Sequence, residues 1–91
     1  MYKITNRQRR NAESLGVAIK PSTNKSKKID VFKNGQKIAS IGAMGYMDYE
    51  LYLNSLGKEY ADERKRLYKI RHANNRNKIG TAGYYADRIL W

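Results

Sequence analysis

The residues able to do chemistry gather in one stretch, RLYKIRHANNRNK, spanning 66–78. His72 is the sole histidine, and there is no cysteine. A metal-binding or proton-transferring histidine needs partners. Its neighbours Arg71, Asn74, Asn75 and Arg76 are poor metal ligands. His72 therefore reads as a surface histidine in a basic patch. Glu59, Asp62 and Glu63 lie just upstream. Acids at a helix N-terminus complement the macrodipole, and that role accounts for them without a bound ion. The expectation is no catalytic residue, no metal ligand and no cofactor.

Other reactive patterns are approached and left incomplete. His72, Asn74 and Asn75 share residue types with a His-Asn-His nuclease, but the second histidine does not exist. Tyr68, Lys69, Arg71, His72 and Arg76 are residue types of a tyrosine recombinase. That chemistry needs arginines converging from distant segments, which 91 residues could hardly house. Gly83-Tyr84-Tyr85 matches part of the GIY-YIG nuclease pattern, without its companion motif. Gly42, Gly45 and Gly57 lack the spacing of a phosphate-binding loop.

What the stretch does carry is charge. From Arg64 through Lys78 there are seven Lys and Arg and no acid. A solvated helix normally alternates signs and gains i,i+4 pairs. Glu59, Asp62 and Glu63 reach only as far as Lys69, which leaves Arg71, Arg76 and Lys78 without local partners. Over the whole chain, nineteen Lys and Arg face eight Asp and Glu, a net charge of +11. Such an excess repels itself and attracts polyanions. Nucleic acid is the commonest such partner, DNA ahead of RNA, and acidic protein surfaces come second. The main candidate patch is Arg64, Lys65, Arg66, Lys69, Arg71, His72, Arg76 and Lys78. Arg7, Arg9 and Arg10, or Lys25, Lys27 and Lys28, form a second arm. Contacts of this kind go to phosphates, which position a protein without specifying sequence. Eight tyrosines, against one Phe and one Trp, can fill a core with a polar tip at its rim, or stack on bases.

No apolar run approaches the ~18 residues of a membrane span. No basic helix with a broad apolar face is visible, so a membrane partner is not expected. MYKITNRQRR lacks the hydrophobic region of a secretory signal. The protein is expected not to be secreted, and the lack of cysteine fits an intracellular site.

The elements that must position these residues are those of a small α+β fold in one domain, 1–91. A domain this short buries only about 60% of its unfolded surface, so its core is marginal. TNRQRRNAESLG reads as a helix over about 6–15, capped by Thr5 or Asn6 and closed by Gly16. Val17 to Ile19 suits a short strand, and 20–28 reads as a flexible basic linker. KIDVFKNGQKIASIG reads as a β-hairpin over about 28–41, with Asn34-Gly35 as its two-residue turn. That register sets Val31 opposite Ile38, and Phe32 opposite Lys37 beside Ala39 and Ile41. Helices follow over about 48–56, capped by Asp48, and 58–74, with Tyr60, Leu67 and Ile70 as a seam, Ala61 and Tyr68 beside it, and Arg64, Lys65, Lys69 and His72 outward or on its edge. The hairpin is expected to pack against two or three of these helices. Thr81 caps a final helix or turn, and Ile89-Leu90-Trp91 is too apolar for a free tail, so the C-terminal segment should be docked.

Three segments, KKIDVFKNGQKIASIGAMGYMDYELYL, KEYADERKRLYKIRH and TAGYYADRILW, together resemble a family of small, basic, tyrosine-rich proteins of unknown function. Large double-stranded DNA viruses and some phages encode that family. The resemblance covers most of the chain after Lys27 and implies a viral origin with a place in the virion or the infected cell. It supplies no catalytic residues. The functional expectation is non-enzymatic binding of nucleic acid. The rival is a minor capsid or virion structural protein whose basic surface bridges acidic capsid subunits.

Overall fold

The computed structural model describes residues 2–74 and 76–91. The element order is α1 (Asn6–Ser14), β1 (Ala18–Pro21), β2 (Lys27–Lys33), β3 (Gln36–Ala43), α2 (Tyr49–Leu56), α3 (Lys58–Arg71) and α4 (Ala82–Leu90). The strands form one antiparallel sheet in the order β1-β2-β3. This is the α+β fold expected, a hairpin with an added strand and helices around it.

Local chemistry explains most boundaries. Thr5 caps α1 in a reciprocal box: its hydroxyl accepts from Gln8 N, and the Gln8 side chain accepts from Thr5 N. Asp48 accepts from Leu51 N and starts α2, and Thr81 accepts from Tyr84 N and starts α4. Asn34 and Gly35 both take positive φ, 54° and 78°, as a type I′ turn demands.

One register detail departs from expectation. Phe32 does pair with Lys37, but Val31 pairs with Ala39 instead of Ile38. A bulge between Val31 and Phe32 absorbs the extra residue. Ile38 is thereby set aside and left 38% exposed. The phase of β3 reverses beyond it. Ile41 comes opposite Ile29 on the core face, not onto the Phe32 face.

The core lies between that face and two helices. Ile19, Ile29, Val31 and Ile41 meet Ala12 from α1 and Tyr85, Ile89 and Leu90 from α4. Full burial of one such aliphatic side chain contributes about 1.5–3 kcal/mol. The C-terminal segment is docked, as expected. The Trp91 ring stacks on Tyr68 at 4.6 Å, and the Trp91 carbonyl oxygen accepts from Arg7 Nη2 at 3.2 Å.

The seam proposed for α3 is a correction. Tyr60, Leu67 and Ile70 face outward, at 46%, 38% and 61% exposure. The inward face is Ala61, Tyr68 and the stems of Arg64, Lys65 and Lys69. Trp91 stacking on Tyr68 fixes that rotation from one side. Tyr49 and Tyr52 of α2 receive Lys65 and Arg64 over their rings from the other.

Both ends of segment 20–28 are built into the sheet. Lys20 and Pro21 belong to β1, and Lys27 and Lys28 to β2. The turn between them is tied to Asp30, which accepts from Ser22 Oγ at 2.6 Å and Thr23 N at 3.3 Å.

Candidate nucleic-acid interface

Three buried aspartates decide which cations are available to a ligand. Asp30, Asp48 and Asp87 are each 1–2% exposed. A buried carboxylate persists as an ion only if it is paired and hydrogen-bonded, and each of these is.

Asp30 joins the sheet. It accepts from Ser22 and Ser40 hydroxyls and lies 3.6 Å from Lys37 Nζ. Desolvation pushes its carboxyl upward. The hydrogen bonds from Ser22, Ser40 and Thr23 N, with the charge of Lys37, outweigh that and hold it below the usual range.

Asp48 joins β2, α2 and the N-terminal segment. Lys28 Nζ is 3.0 Å from Oδ2, and the two side chains are 4% and 1% exposed. The Lys28 ammonium also donates to the Tyr46 carbonyl. Tyr2 donates to Asp48 at 2.6 Å and accepts from Gln8 Nε2 at 2.7 Å. Burial first, and then the bond to Asp48, raise the Tyr2 phenol well above its ordinary range.

Asp87 joins α4 to α3 and to the loop after it. Lys69 Nζ is 2.7 Å away, Arg88 Nη1 3.1 Å and Arg76 Nη1 3.8 Å. Arg88 donates as well to the Arg76 carbonyl and the Asn77 side chain, with its guanidinium over the Tyr84 ring.

These ties redistribute the cations the sequence offers. Lys28, expected in a phosphate-binding arm, is a buried structural cation. Arg76, which has no acid near it in sequence, is partnered by Asp87 eleven residues on. Lys69 is held by the same carboxylate. Arg7 reaches Glu50 at 3.9 Å, the Trp91 carbonyl and the Tyr49 ring. Arg66 is exposed and paired with Glu63 at 2.6 Å.

Eight of the nineteen Lys and Arg are in ion pairs, which leaves eleven without one among the described residues. Arg9 and Arg10 are exposed on α1, and Lys25 is exposed in the turn with Lys27 half-buried beside it. Arg64 lies over the Tyr52 ring at 5.4 Å, and Lys65 over Tyr49 at 5.3 Å. Burial lowers Lys65 first, and Arg7 and Lys69 add to the effect against Asp62 and Asp87. Arg71 and Lys78 are exposed. Asn75, named beside His72 in the sequence pattern, lies outside the described residues.

The structure brings Arg64, Arg71 and His72 together at one concave place. A cleft of about 520 Å³ runs between α3, the end of the sheet and the last turn of α4. Its walls include Arg64, Arg71 and His72, with Tyr52, Tyr68 and Trp91. The His72 and Trp91 rings lie on Tyr68 at 4.4 and 4.6 Å. Sequence reasoning found the cations but missed Tyr52, Tyr68 and Trp91 as their companions in this cleft. Part of the signal was present, since Arg64 and Tyr68 lie four residues apart on one face of α3. It was masked because Tyr60, Leu67 and Ile70 make an equally good apolar stripe.

Among the described residues no cluster of three His, Asp or Glu side chains is placed to hold a metal ion. No described helix is long and apolar enough to cross a membrane. Comparison with family models, with curated proteins and with solved structures gave no match to this chain.

Proposed function

We propose that this protein is a non-enzymatic nucleic-acid-binding protein, virus- or phage-encoded, that grips its ligand mainly through phosphates. The observation that carries the reading is the set of cations without a carboxylate partner among the described residues. Eight Lys and Arg are matched by carboxylates of the chain itself. Eleven others have none among the described residues, and they include Arg64, Arg71 and Lys78 on α3 and the loop beyond it. Phosphates supply the missing counter-charge.

The test is a salt titration with a fluorescent duplex. Contacts from Arg64, Lys65, Arg71 and Lys78 would give a slope of log K against log salt of about −3.6, with more from Arg9, Arg10 or Lys25. Arg71→Ala with Lys78→Ala should reduce that slope by roughly one per contact and weaken all sequences alike. Both residues are exposed, so stability should change by less than about 1 kcal/mol. Absence of binding at low salt overturns the reading.

A second reading has its own support. Leu56, Tyr60, Leu67, Ile70 and Ile79 are 57%, 46%, 38%, 61% and 83% exposed. Apolar groups on the outside of α2, α3 and the following loop suit a protein contact. They favour the alternative of a virion structural protein seated against other subunits. Detection of a stable complex with an acidic protein surface, and none with nucleic acid, would establish that alternative instead.

A further inference from the structure

Resting on the nucleic-acid reading above, we propose that the cleft between α3 and Trp91 holds one unpaired base of a single strand, its flanking phosphates lying on Arg64 and Arg71. The walls are aromatic. Tyr68 and Trp91 are stacked at 4.6 Å with 13° between their planes, and Tyr52 sits 6.1 Å from Trp91. Tyr68 already carries the His72 and Trp91 rings and Tyr52 carries Arg64, so the surface offered to a base is the half-buried Trp91 ring, which lines the cleft and ends the stack. Every base has a π-face and can extend such a stack whatever its identity.

The cations of the cleft are suited to phosphate. Arg64 and Arg71 have no carboxylate partner among the described residues. Their planar guanidinium groups can donate two parallel hydrogen bonds to phosphate oxygens. The one acidic side chain on the cleft wall, Asp48, is already neutralised by Lys28 and donated to by Tyr2 and Leu51 N. It therefore does not repel an incoming phosphate. The volume of about 520 Å³ falls within the roughly 300–1,000 Å³ typical of small-ligand sites.

The concavity decides between strand forms. Bases in a duplex are stacked and paired, and reaching a recessed platform requires one to leave the stack at a cost in unstacking energy. A single strand presents bases without that cost. Phosphate contacts on the rim serve both forms, whereas the platform serves only the single strand.

Trp91 is the sole tryptophan, so its emission reports on the cleft alone. The experiment titrates the full chain with three probes of equal length: an oligothymidylate, an abasic strand and a blunt duplex. The expected result is saturable quenching of Trp91 by the oligothymidylate only, with about tenfold or greater preference over the abasic strand. Binding of all three probes with equal affinity and unchanged emission overturns the base site while leaving the phosphate reading standing. Binding of none overturns both. Arg71→Ala, at an exposed residue, should leave the emission maximum of the free protein in place and weaken the oligothymidylate. Unchanged affinity in that variant removes the phosphate from Arg71.

Discussion

Lys28→Met separates the fold's own use of charge from any use by a ligand. From sequence, Lys28 is one lysine of a basic arm, and its loss should cost one phosphate contact. In the structure its ammonium is buried against Asp48, whose own side chain is 1% exposed. Met matches the stem and removes the charge. Asp48 keeps Tyr2 and Leu51 N as donors but loses its cation. Breaking a buried pair from one side costs about 3–5 kcal/mol, because the remaining charge is left uncompensated. A domain of this size melts roughly 4–8 °C lower per kcal/mol, so the midpoint should fall by roughly 12–40 °C. Thermal and urea unfolding followed by circular dichroism measure this directly. Asp48→Asn in the same chain should return part of the loss, since an amide can still cap α2 and no charge is then stranded. The reasoning is refuted if Lys28→Met costs less than about 1 kcal/mol, the worth of an exposed charge, while the salt slope on nucleic acid drops by one.

Further outcomes follow from the close approaches in the core and from Asp30. Gly42 has φ +74°, and a Cβ there would lie 2.8 Å from Leu90 Cδ1 and 3.0 Å from Lys28 Cδ. Leu90 is 2% exposed and cannot yield, so Gly42→Ala should cost roughly 2–4 kcal/mol by urea unfolding, from left-handed strain plus overpacking. The Asp30 carboxyl is held below its ordinary 3.8, so its contribution is full above that value and is lost as pH falls through the lower, folded pKa. Ser40→Ala removes one of the hydrogen bonds that lower it, and should shift acid unfolding to higher pH when followed by far-ultraviolet circular dichroism. An unchanged acid midpoint in Ser40→Ala would show that Ser40 does not hold the Asp30 carboxylate.

What was legible in the sequence was what local chemistry dictates. Asn34-Gly35 named the hairpin, Asp48 and Thr81 named helix starts, and the apolar Ile89-Leu90-Trp91 named a docked end. The bulge at Val31/Phe32 was not legible, because no glycine or turn residue marks it. The rotation of α3 was not legible either. Two faces of that helix compete, one carrying Tyr60, Leu67 and Ile70, the other Ala61, Arg64 and Tyr68. Hydrophobicity alone favours the first. The structure takes the second because a long basic side chain can lay its stem on an aromatic ring and keep its charge at the rim. Arg64 over Tyr52 and Lys65 over Tyr49 do so. Tyrosine abundance thus has a structural meaning that composition left open: several rings seat cations as well as fill space.

The same arrangement bears on why the net charge stays so high. Six of the eight acids lie in ion pairs, and the three most buried each tie separate elements together. They are therefore withdrawn from the surface, where they would otherwise offset Arg9, Arg10, Lys25, Arg71 and Lys78. Surface positions tolerate acids at little cost in stability, so nothing in the fold demands that these cations stand alone. Standing alone, they repel one another and disfavour the compact state. A polyanion that binds only the folded chain reverses this, adding stability in proportion to the logarithm of its concentration over Kd. On the nucleic-acid reading proposed above, the unpaired cations would be matched by a ligand outside the chain, and the cleft beside Trp91, with Arg64 and Arg71 on its walls, is where charge and aromatic surface meet.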